Sequence, residues 1–427
     1  MSQKCLIFEM FFVIIEKQYK IKGGFKMPEK SLYKLFYSDS KNYLNEYKKR
    51  FQSESTIHLN IDIGKYPAFF CQTPEIFKII ISIERTNNAV NKICFNLPDI
   101  ALYQFQTNCL IDEIVLTNHI EGIYSTRKEI SEILQDLSKK NKRERFSGLV
   151  RKYLLLIKNE KLPLNTPQDI RKIYDDIFYE EIKTTDPDDL PDGDIFRKNN
   201  VGVFSATGKE IHKGVYPESK IISIMEEALK FLNSEDYDYL LRIAVFHYLF
   251  GYIHPFYDGN GRTSRFISSY ILSQNLNQLI GYSISYTIKE NISKYYKAFD
   301  VCNHPNNRGD LTPFVEMFLN IVDASMKQLL ESLNEKSEKL HHYEKRILQL
   351  PYAENKNIRI LYNLLLQAAL FSNNGISQKE LEKTLNVTYN TVRIRLNKIP
   401  KNLLIINRDK RHSFYLLNLN EMDNILT

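Results

Sequence analysis

The chain has 427 residues, of which 43% are hydrophobic and 26% charged, and its formal net charge is +7. This balance excludes disordered and collagen-like chains, and the length predicts two or three globular domains. No apolar run reaches the roughly 18 residues of a membrane-spanning helix. The five cysteines form no CxxC pair, so we expect a cytoplasmic protein without a disulfide framework or a zinc site.

The N-terminal residues differ in composition from those that follow. Residues 1–26 combine an apolar stretch with a basic run and end just before Met27. They form either an extension of uncertain role or a segment upstream of the true start, and we assign them no function. Residues 27–115 are predicted as an N-terminal helical region. Within it, residues 28–100 mix short apolar runs with turn formers, which favours an irregular layer of helices.

A well-marked helix is predicted over Leu102–Glu121, because apolar residues recur there at helical spacing. Gly122 is placed to end this helix, and Thr126 with Glu129 predicts the capping box of the next one. We assign residues 116–320 to the core of the protein and residues 321–354 to a linker helix. Further helices are predicted over residues 144–159, 167–182, 218–232, 237–253, 261–275, 288–300 and 312–346.

One segment of the core lacks helical patterning. Asp186–Pro217 is rich in glycine and proline, and inside it Val201–Ala206 and Lys209–His212 flank a Thr207-Gly208 turn. Two short strands around such a turn predict a small β-hairpin at residues 199–213.

Residues 355–427 carry most of the excess charge, with 11 Lys and Arg against 5 Asp and Glu. Three helices and two strands are predicted here, over Ile358–Phe371, Gln378–Asn386, Tyr389–Ile399, Leu403–Asn407 and Ser413–Leu417. This order is typical of a winged helix-turn-helix domain. Its basic charge indicates contact with nucleic acid or with an acidic protein surface.

The segment His254–Arg265 lies between two helical patterns and has the composition of an anion site. A helix that opens at Asn260 directs free backbone N–H groups and its positive end to one point. Flanking glycines allow a phosphate to approach the backbone closely. Arg262 and Arg265 are three residues apart on the new helix, so both guanidinium groups can face the same polyphosphate.

Two further residues of this segment suit phosphoryl chemistry. Asp258 offers the carboxylate oxygen that Mg²⁺ takes alongside substrate phosphates. His254, at the end of the preceding helix, has a side chain that can accept a proton near neutral pH. Together these residues predict the transfer of part of a nucleoside polyphosphate to a hydroxyl group.

His254–Arg265 resembles the signature of the Fic family, H-x-F-x-[D/E]-G-N-G-R-x-x-R, at all eight specified positions. The resemblance implies a mostly α fold, in which a Fic-type helical core with one β-hairpin flap precedes the C-terminal winged helix-turn-helix domain. It also implies a nucleotidyltransferase that moves AMP from ATP to a Ser, Thr or Tyr hydroxyl of a protein.

The same resemblance implies a role for each motif residue. His254 would be the general base, and Asp258 would hold Mg²⁺ between the α- and β-phosphates. The remaining residues would fix the loop or bind the phosphates of ATP: Phe256 packs inward, Gly259, Asn260 and Gly261 cradle the phosphates, and Arg262 and Arg265 hold the β- and γ-phosphates. The intact Gly-Asn-Gly stretch argues against the branch of the family that phosphorylates its targets.

A second motif, Thr117–Gly122, resembles the inhibitory helix of the family, [S/T]-x-x-x-E-[G/N]. A glutamate at the C-terminal end of a helix faces the negative end of the helix dipole and is better tolerated beside a cation. The resemblance implies that the cation is Arg265 and that its capture by Glu121 blocks productive seating of the γ-phosphate.

The hairpin at residues 199–213 resembles the flap that holds the target protein as an added strand, with Val203 or Phe204 as candidate contacts. Two alternatives remain open for the function. Glu121 could orient a water molecule and make the site remove AMP from modified targets, alone or besides adding it. Alternatively, the chain could be a DNA-binding transcriptional regulator that uses its winged helix.

The winged helix itself has two candidate partners, DNA and protein. Its third helix and its wing supply the polar and basic residues for either: Thr388, Tyr389, Asn390, Arg393, Arg395, Lys398, Arg408, Lys410 and Arg411.

Overall fold

The structure, a computed structural model, describes residues 31–136, 145–158, 160–204, 210–408 and 413–426. The N-terminal extension 1–26, the flap turn 205–209 and wing residues 409–412 lie outside the described residues. Residue contacts divide the chain into two compact units. The larger comprises the described residues of Ile21–Asn87 and Ile111–Lys327, and the smaller includes Asn88–Leu110 and Gln328–Thr427.

The larger unit begins with two short helices and a β-hairpin: α1 (Leu32–Ser38), α2 (Ser40–Phe51), β1 (Thr56–Ile63) and β2 (Tyr66–Cys71). The strands pair antiparallel around Gly64, whose φ of 63° suits a tight turn. The expectation of an irregular helical layer over residues 28–100 is therefore wrong for this stretch. Alternate residues of β1 are buried, which is the period-two pattern of a half-buried strand.

Long helices follow the hairpin: α3 (Pro74–Asn96), α4 (Asp99–Ile120), α5 (Arg127–Asp136), α6 (Ser147–Lys158) and α7 (Pro167–Thr185). The last four agree with the predicted pattern, whereas α3 is one long helix in a region predicted to be irregular. Gly122 takes a positive φ of 73° just past α4, where the sequence predicts a stop. Thr126 Oγ1 accepts a hydrogen bond from the Glu129 N–H at 3.2 Å and so caps α5 as predicted.

The flap and the motif helices complete the larger unit, and α13 continues beyond it: β3 (Gly202–Phe204), β4 (Glu210–Lys213), α8 (Glu218–Leu232), α9 (Tyr239–Ile253), α10 (Asn260–Asn275), α11 (Ile284–Glu290), α12 (Ile292–Asn303) and α13 (Thr312–Arg346). Nearly every residue of α9 and most of α10 are buried. A helix that is buried on all sides lies inside the core. The loop between these two helices is therefore held by the most tightly packed part of the unit.

The C-terminal elements follow the predicted winged-helix order, with one extra strand and one extra helix: α14 (Lys356–Phe371), β5 (Ile376–Ser377), α15 (Gln378–Leu385), α16 (Tyr389–Leu396), β6 (Leu404–Arg408), β7 (Ser413–Leu417) and α17 (Leu419–Leu426). The three strands form an antiparallel sheet in the order β5-β7-β6. Ser377 and Glu380 form a complete capping box at the start of α15. Throughout the described ranges, no helix combines the length and the hydropathy of a membrane-spanning segment.

Candidate active site

The loop between α9 and α10 turns the chain through two left-handed residues. His254 ends α9 with φ 50° and ψ 63°, and Gly259 precedes α10 with φ 78°. The left-handed conformation costs a non-glycine residue about 1–2 kcal/mol, so His254 is held there by its surroundings. At Gly259 a side chain would also approach the rings of Tyr174 and Phe178 closely.

Asn260 fixes the shape of this loop. Its Oδ1 accepts a hydrogen bond from the Phe256 N–H at 2.9 Å, and its Nδ2 donates to the Phe256 carbonyl at 2.8 Å. Phe256 is fully buried and stacks on Tyr174 with ring centroids 3.7 Å apart. Because the amide of Asn260 is engaged within the loop, the groups left to meet a phosphate are backbone N–H groups in the first turn of α10.

The two arginines of the motif have different partners. Arg262 is fully buried and forms ion pairs with Glu181 at 2.9 Å and Asp258 at 3.1 Å, and its guanidinium lies 4.3 Å from the Phe178 ring centroid. These contacts tie α10 to α7. The Nε of Arg262 has no hydrogen-bond partner among the described residues.

Arg265 meets the second motif. Its Nε donates to Thr117 Oγ1 at 2.8 Å, and its Nη2 donates to the Thr117 carbonyl at 3.0 Å and contacts Glu121 Oε1 at 2.7 Å. The arginine is buried, whereas the Glu121 side chain is 27% exposed. Burial opposes the charge on Arg265, but the Glu121 carboxylate contributes most to raising the pKa of the guanidinium. The predicted contact between Glu121 and Arg265 is therefore present.

A cavity of about 240 Å³ lies at the junction of the two motifs. This volume is below the roughly 300–1,000 Å³ of typical ligand pockets. The Glu121 carboxylate lines this space and lies so close to Gly261 that a side chain at position 261 would collide with it. The lining combines motif, flap and α12 residues: Glu121, Gly202, His212, His247, Gly251, His254, Asn260, Gly261, Ser264, Arg265, Tyr295, Tyr296, Phe299 and Asn303.

Of the predicted site residues, the cavity thus brings together His254, Asn260, Gly261, Arg265 and Glu121. Arg262, Asp258 and Gly259 do not line it. They stand on the same loop and first helical turn, with Asp258 Oδ2 accepting from Arg262 and the Asp258 side chain 45% exposed.

His254 lies at the wall of the cavity with part of its surface exposed. Burial, the charge of Arg197 and the neighbouring His212 lower the pKa of His254 to about 3. The imidazole is therefore neutral near pH 7, which is the form from which a general base starts, but so low a pKa makes it a weak base in this state. His212 belongs to β4 and its Nε2 lies 2.8 Å from the Tyr252 carbonyl, so the flap contacts the end of α9.

His247 has a different role from His254. It is fully buried in α9, where its Nδ1 lies 2.8 Å from Ser268 Oγ and its Nε2 lies 2.7 Å from Tyr295 Oη. Ser268 Oγ donates to the Ser264 carbonyl and therefore accepts from Nδ1–H, so Tyr295 Oη donates to Nε2. Burial lowers the pKa of His247 to about 3. These contacts make His247 a packing residue of the core.

The flap strands are present and pair antiparallel, with Gly202 opposite Lys213. The side chains of Val203 and Phe204 lie outside the described residues, so their predicted contacts stay predictions.

Sequence reasoning missed two buried charged residues near the site. Arg197 is fully buried beside His254, and Glu113 lies in the core one helical turn before Thr117. Glu113 could have been found, because it is a charged residue within an apolar helical pattern. Arg197 could not, because it lies in an irregular segment where burial has no periodic pattern in the sequence.

Comparison with known proteins identifies part of the chain. A model of the Fic/DOC family matches residues 163–272, which include the loop and α10 up to Leu272. Proteins named protein adenylyltransferase Fic from Drosophila erecta and Drosophila melanogaster are each 34% identical to it over 141 residues, or 32% of this chain. The chain spans only 25% of the length of these relatives.

A solved structure extends the likeness in fold. A Fic family protein from Desulfovibrio desulfuricans G20 matches 82% of this chain and 97% of its own, with a TM-score of 0.51 and 20% sequence identity. At this identity the likeness concerns the fold alone. The chain therefore carries a Fic/DOC family domain in residues 163–272, set in a mostly helical fold that it shares with a Fic family protein.

Proposed function

We propose that the protein is an autoinhibited adenylyltransferase that transfers AMP from ATP to a hydroxyl side chain of a target protein and of itself. The observation that carries this proposal is the ion pair between Arg265 and Glu121, which joins the Fic motif to the inhibitory motif at 2.7 Å. The names of the Drosophila relatives support the reaction type.

In this reaction the hydroxyl oxygen of the target attacks the α-phosphorus of ATP, and pyrophosphate leaves. His254 takes the hydroxyl proton, because its imidazole is neutral and has a nitrogen lone pair to receive it. The backbone N–H groups at the start of α10 and the Arg265 guanidinium bind the phosphates and stabilise the charge that develops. The flap supplies an open strand edge on which an extended target segment can add.

The residues present fit Mg²⁺ as a companion of ATP. Among the described residues no group of three acidic, histidine or cysteine side chains could hold a metal alone. Asp258, however, is half exposed and uses one carboxylate oxygen on Arg262, which leaves the other for a cation. One carboxylate together with substrate phosphates is a usual way to bind Mg²⁺. Asp258 would hold the ion, which neutralises phosphate charge.

Inhibition follows from competition for one guanidinium group. Arg265 can bind the Glu121 carboxylate or the γ-phosphate, but it cannot satisfy both fully. Breaking a hydrogen-bonded charge pair whose arginine is buried costs roughly 2–5 kcal/mol. At about 1.4 kcal/mol per tenfold change, this suppresses productive ATP binding by about 30-fold or more.

The test is Glu121→Gly, which should raise labelling of target and enzyme by about 30-fold or more. Arg265→Ala in the same chain should cancel the gain, because the γ-phosphate then loses its anchor. The measurement is ³²P-AMP incorporation from α-labelled ATP, with His254→Ala in the Glu121→Gly chain as the inactive control. Equal labelling by wild type and Glu121→Gly would contradict autoinhibition, and equal labelling with and without His254 would contradict its role as base.

Removal of AMP is a second candidate activity of the same site. The exposed part of the Glu121 side chain borders the cavity beside His254, where a carboxylate can orient a water molecule. Incubation of AMP-modified protein with Mg²⁺ and no ATP separates the two directions, since only the removal activity releases AMP.

We also propose that the C-terminal module binds DNA. The third helix, α16, exposes Tyr389, Asn390 and Arg393, and Lys398 is exposed just past its end. Polar and basic side chains on the third helix are the means by which winged helices contact the major groove and the phosphates. Docking of a protein with an acidic surface is the competing outcome.

A further inference from the structure

Arg197 is a fully buried arginine that bonds to backbone carbonyls instead of a carboxylate. Its Nε donates to the His254 carbonyl at 2.8 Å, its Nη1 to the Asn199 carbonyl at 2.6 Å, and its Nη2 to the Val215 carbonyl at 2.8 Å. Nη2 also lies 3.4 Å from the Ile253 carbonyl. No carboxylate of the described residues forms an ion pair with this guanidinium, and a buried charge in such surroundings is costly unless its donors are hydrogen-bonded, as they are here.

The carbonyl partners of Arg197 come from two separate places. Asn199 and Val215 flank the two flap strands, one before β3 and one after β4. Ile253 and His254 are the last residue of α9 and the left-handed residue that follows it. One planar guanidinium group, whose donors have a fixed geometry, therefore bonds both ends of the flap and the segment that carries the proposed base.

Backbone contacts reinforce this arrangement. The Arg197 N–H donates to the Pro255 carbonyl at 3.3 Å, and the Val215 N–H donates to the Ile253 carbonyl at 3.0 Å. Gly214 leaves the space that the guanidinium needs, because a side chain there would collide with Arg197 Nη2 and come within 3.2 Å of His254 Cβ. The close approach requires glycine at this position.

We propose that Arg197 is a positioning residue that fixes His254 relative to both ends of the flap, so that a target strand bound on the flap presents its hydroxyl to the imidazole. The inference rests on the proposed AMP transfer. Such placement matters because a displacement of about 1 Å between reacting groups can lower a rate by about 100-fold.

The test uses two variants that disturb the contact in different ways, Arg197→Lys and Gly214→Ala, each in the Glu121→Gly chain. Lysine keeps the charge but lacks the fork of donors, whereas Gly214→Ala keeps the arginine and displaces it. We expect kcat for target modification to fall about 10- to 100-fold in both, while the KM for ATP stays within about twofold. Arg242→Lys is the matched control, because Arg242 donates to a single backbone carbonyl, that of Leu232.

Hydrogen–deuterium exchange gives a second readout that does not depend on activity. Arg197→Lys should speed exchange in residues 199–202, 212–215 and 253–256 together, and Arg242→Lys should leave these segments unchanged. Unchanged kcat, or faster exchange in only one of the segments, would overturn the inference. An inactive Glu121→Gly parent would count against the proposed function, and the exchange data would then decide the role of Arg197 separately.

Discussion

At the scale of single residues, Glu113 is a buried carboxyl group whose pKa lies close to neutral pH. It lies four residues before Thr117, so the two share one face of α4, and Glu121 follows just past the end of this helix. Its carboxylate accepts hydrogen bonds from the Ser285 N–H at 2.9 Å, the Ser285 hydroxyl at 2.6 Å and the Tyr153 hydroxyl at 3.3 Å. Burial outweighs these bonds and the charge of Arg265, and raises the pKa of Glu113 to about 7.

This raised pKa predicts a pH-dependent contribution of Glu113 to stability. The folded protein keeps the proton up to about pH 7, whereas the unfolded chain releases it near its ordinary pKa of 4.5. The contribution is therefore fully present below about pH 4.5 and is lost as the pH rises through 7. The loss amounts to about 3 kcal/mol at 1.36 kcal/mol per pKa unit.

Urea unfolding from pH 4.5 to pH 8 measures this loss in wild type and in Glu113→Gln, which cannot titrate. The free energy of unfolding should fall more steeply with pH in wild type than in the variant. The exposed Glu132→Gln is the control and should follow wild type. Parallel curves for wild type and Glu113→Gln would contradict a titration of Glu113 in this range.

The same scale shows which contacts sequence reasoning can reach. The contact of Glu121 with Arg265 was predicted, because both residues belong to motifs whose partners are implied by resemblance. The ion pair of Arg262 with Glu181 was not, since Glu181 lies on a helix about 80 residues earlier and no local pattern links the two. The contacts of Arg197 were not predicted either, because its partners are backbone carbonyls, which every residue has and which therefore leave no signal in the sequence.

At the scale of elements, the loop from Phe256 to Asn260 depends on one side-chain amide. Asn260→Ala would leave the buried N–H and carbonyl of Phe256 without their partners, and each unsatisfied group costs roughly 1–3 kcal/mol. We expect the loop to open and ATP affinity to fall at least tenfold in the Glu121→Gly chain.

Isothermal titration of ATP into the purified variants checks this expectation. Asn275→Ala is a matched control at the other end of α10, since its amide donates only to the Ile271 carbonyl on the protein surface. Unchanged affinity in Asn260→Ala would mean that the loop keeps its shape without the amide.

Elements with a strong helical period were predicted well, and elements with mixed signals were not. The predicted 218–232 and 312–346 coincide with α8 and α13, because apolar spacing and end signals agree there. The β1–β2 hairpin was missed although apolar and polar residues alternate over residues 57–63 at the period of a half-buried strand, because the turn formers of residues 28–100 were given more weight than this alternation.

At the scale of the whole molecule, the basic C-terminal module predicts salt-dependent DNA binding. Replacement of Arg393 and Arg395 by alanine should weaken binding and lower the dependence of log K on log salt by about 2, if each contacts one phosphate. Fluorescence anisotropy of labelled duplex DNA with the full chain, at several salt concentrations, measures both quantities.

The matched control replaces Lys220 and Lys230, two exposed lysines of α8, by alanine. It removes the same charge from the chain and should leave the salt dependence unchanged. Absence of salt-dependent affinity in the wild-type chain would instead favour protein docking as the role of the module.

Fold class was within reach of the sequence at this scale, because the order of helices and strands in residues 355–427 is itself the winged-helix pattern. The binding partner of this module could not be predicted from the sequence, because DNA and acidic protein surfaces attract the same basic side chains.

The two bonds from Thr117 to Arg265 have a consequence for how the protein responds to its nucleotide. Thr117 holds the guanidinium from the helix side through bonds that do not involve Glu121, so the group proposed to bind the γ-phosphate is in position before any nucleotide arrives. Under the proposed competition, ATP can displace the glutamate by mass action, whereas ADP brings no γ-phosphate to do so. Under this mechanism the transfer activity would rise with the ATP-to-ADP ratio. The strength of the salt bridge between Glu121 and Arg265 would set the ratio at which activity begins.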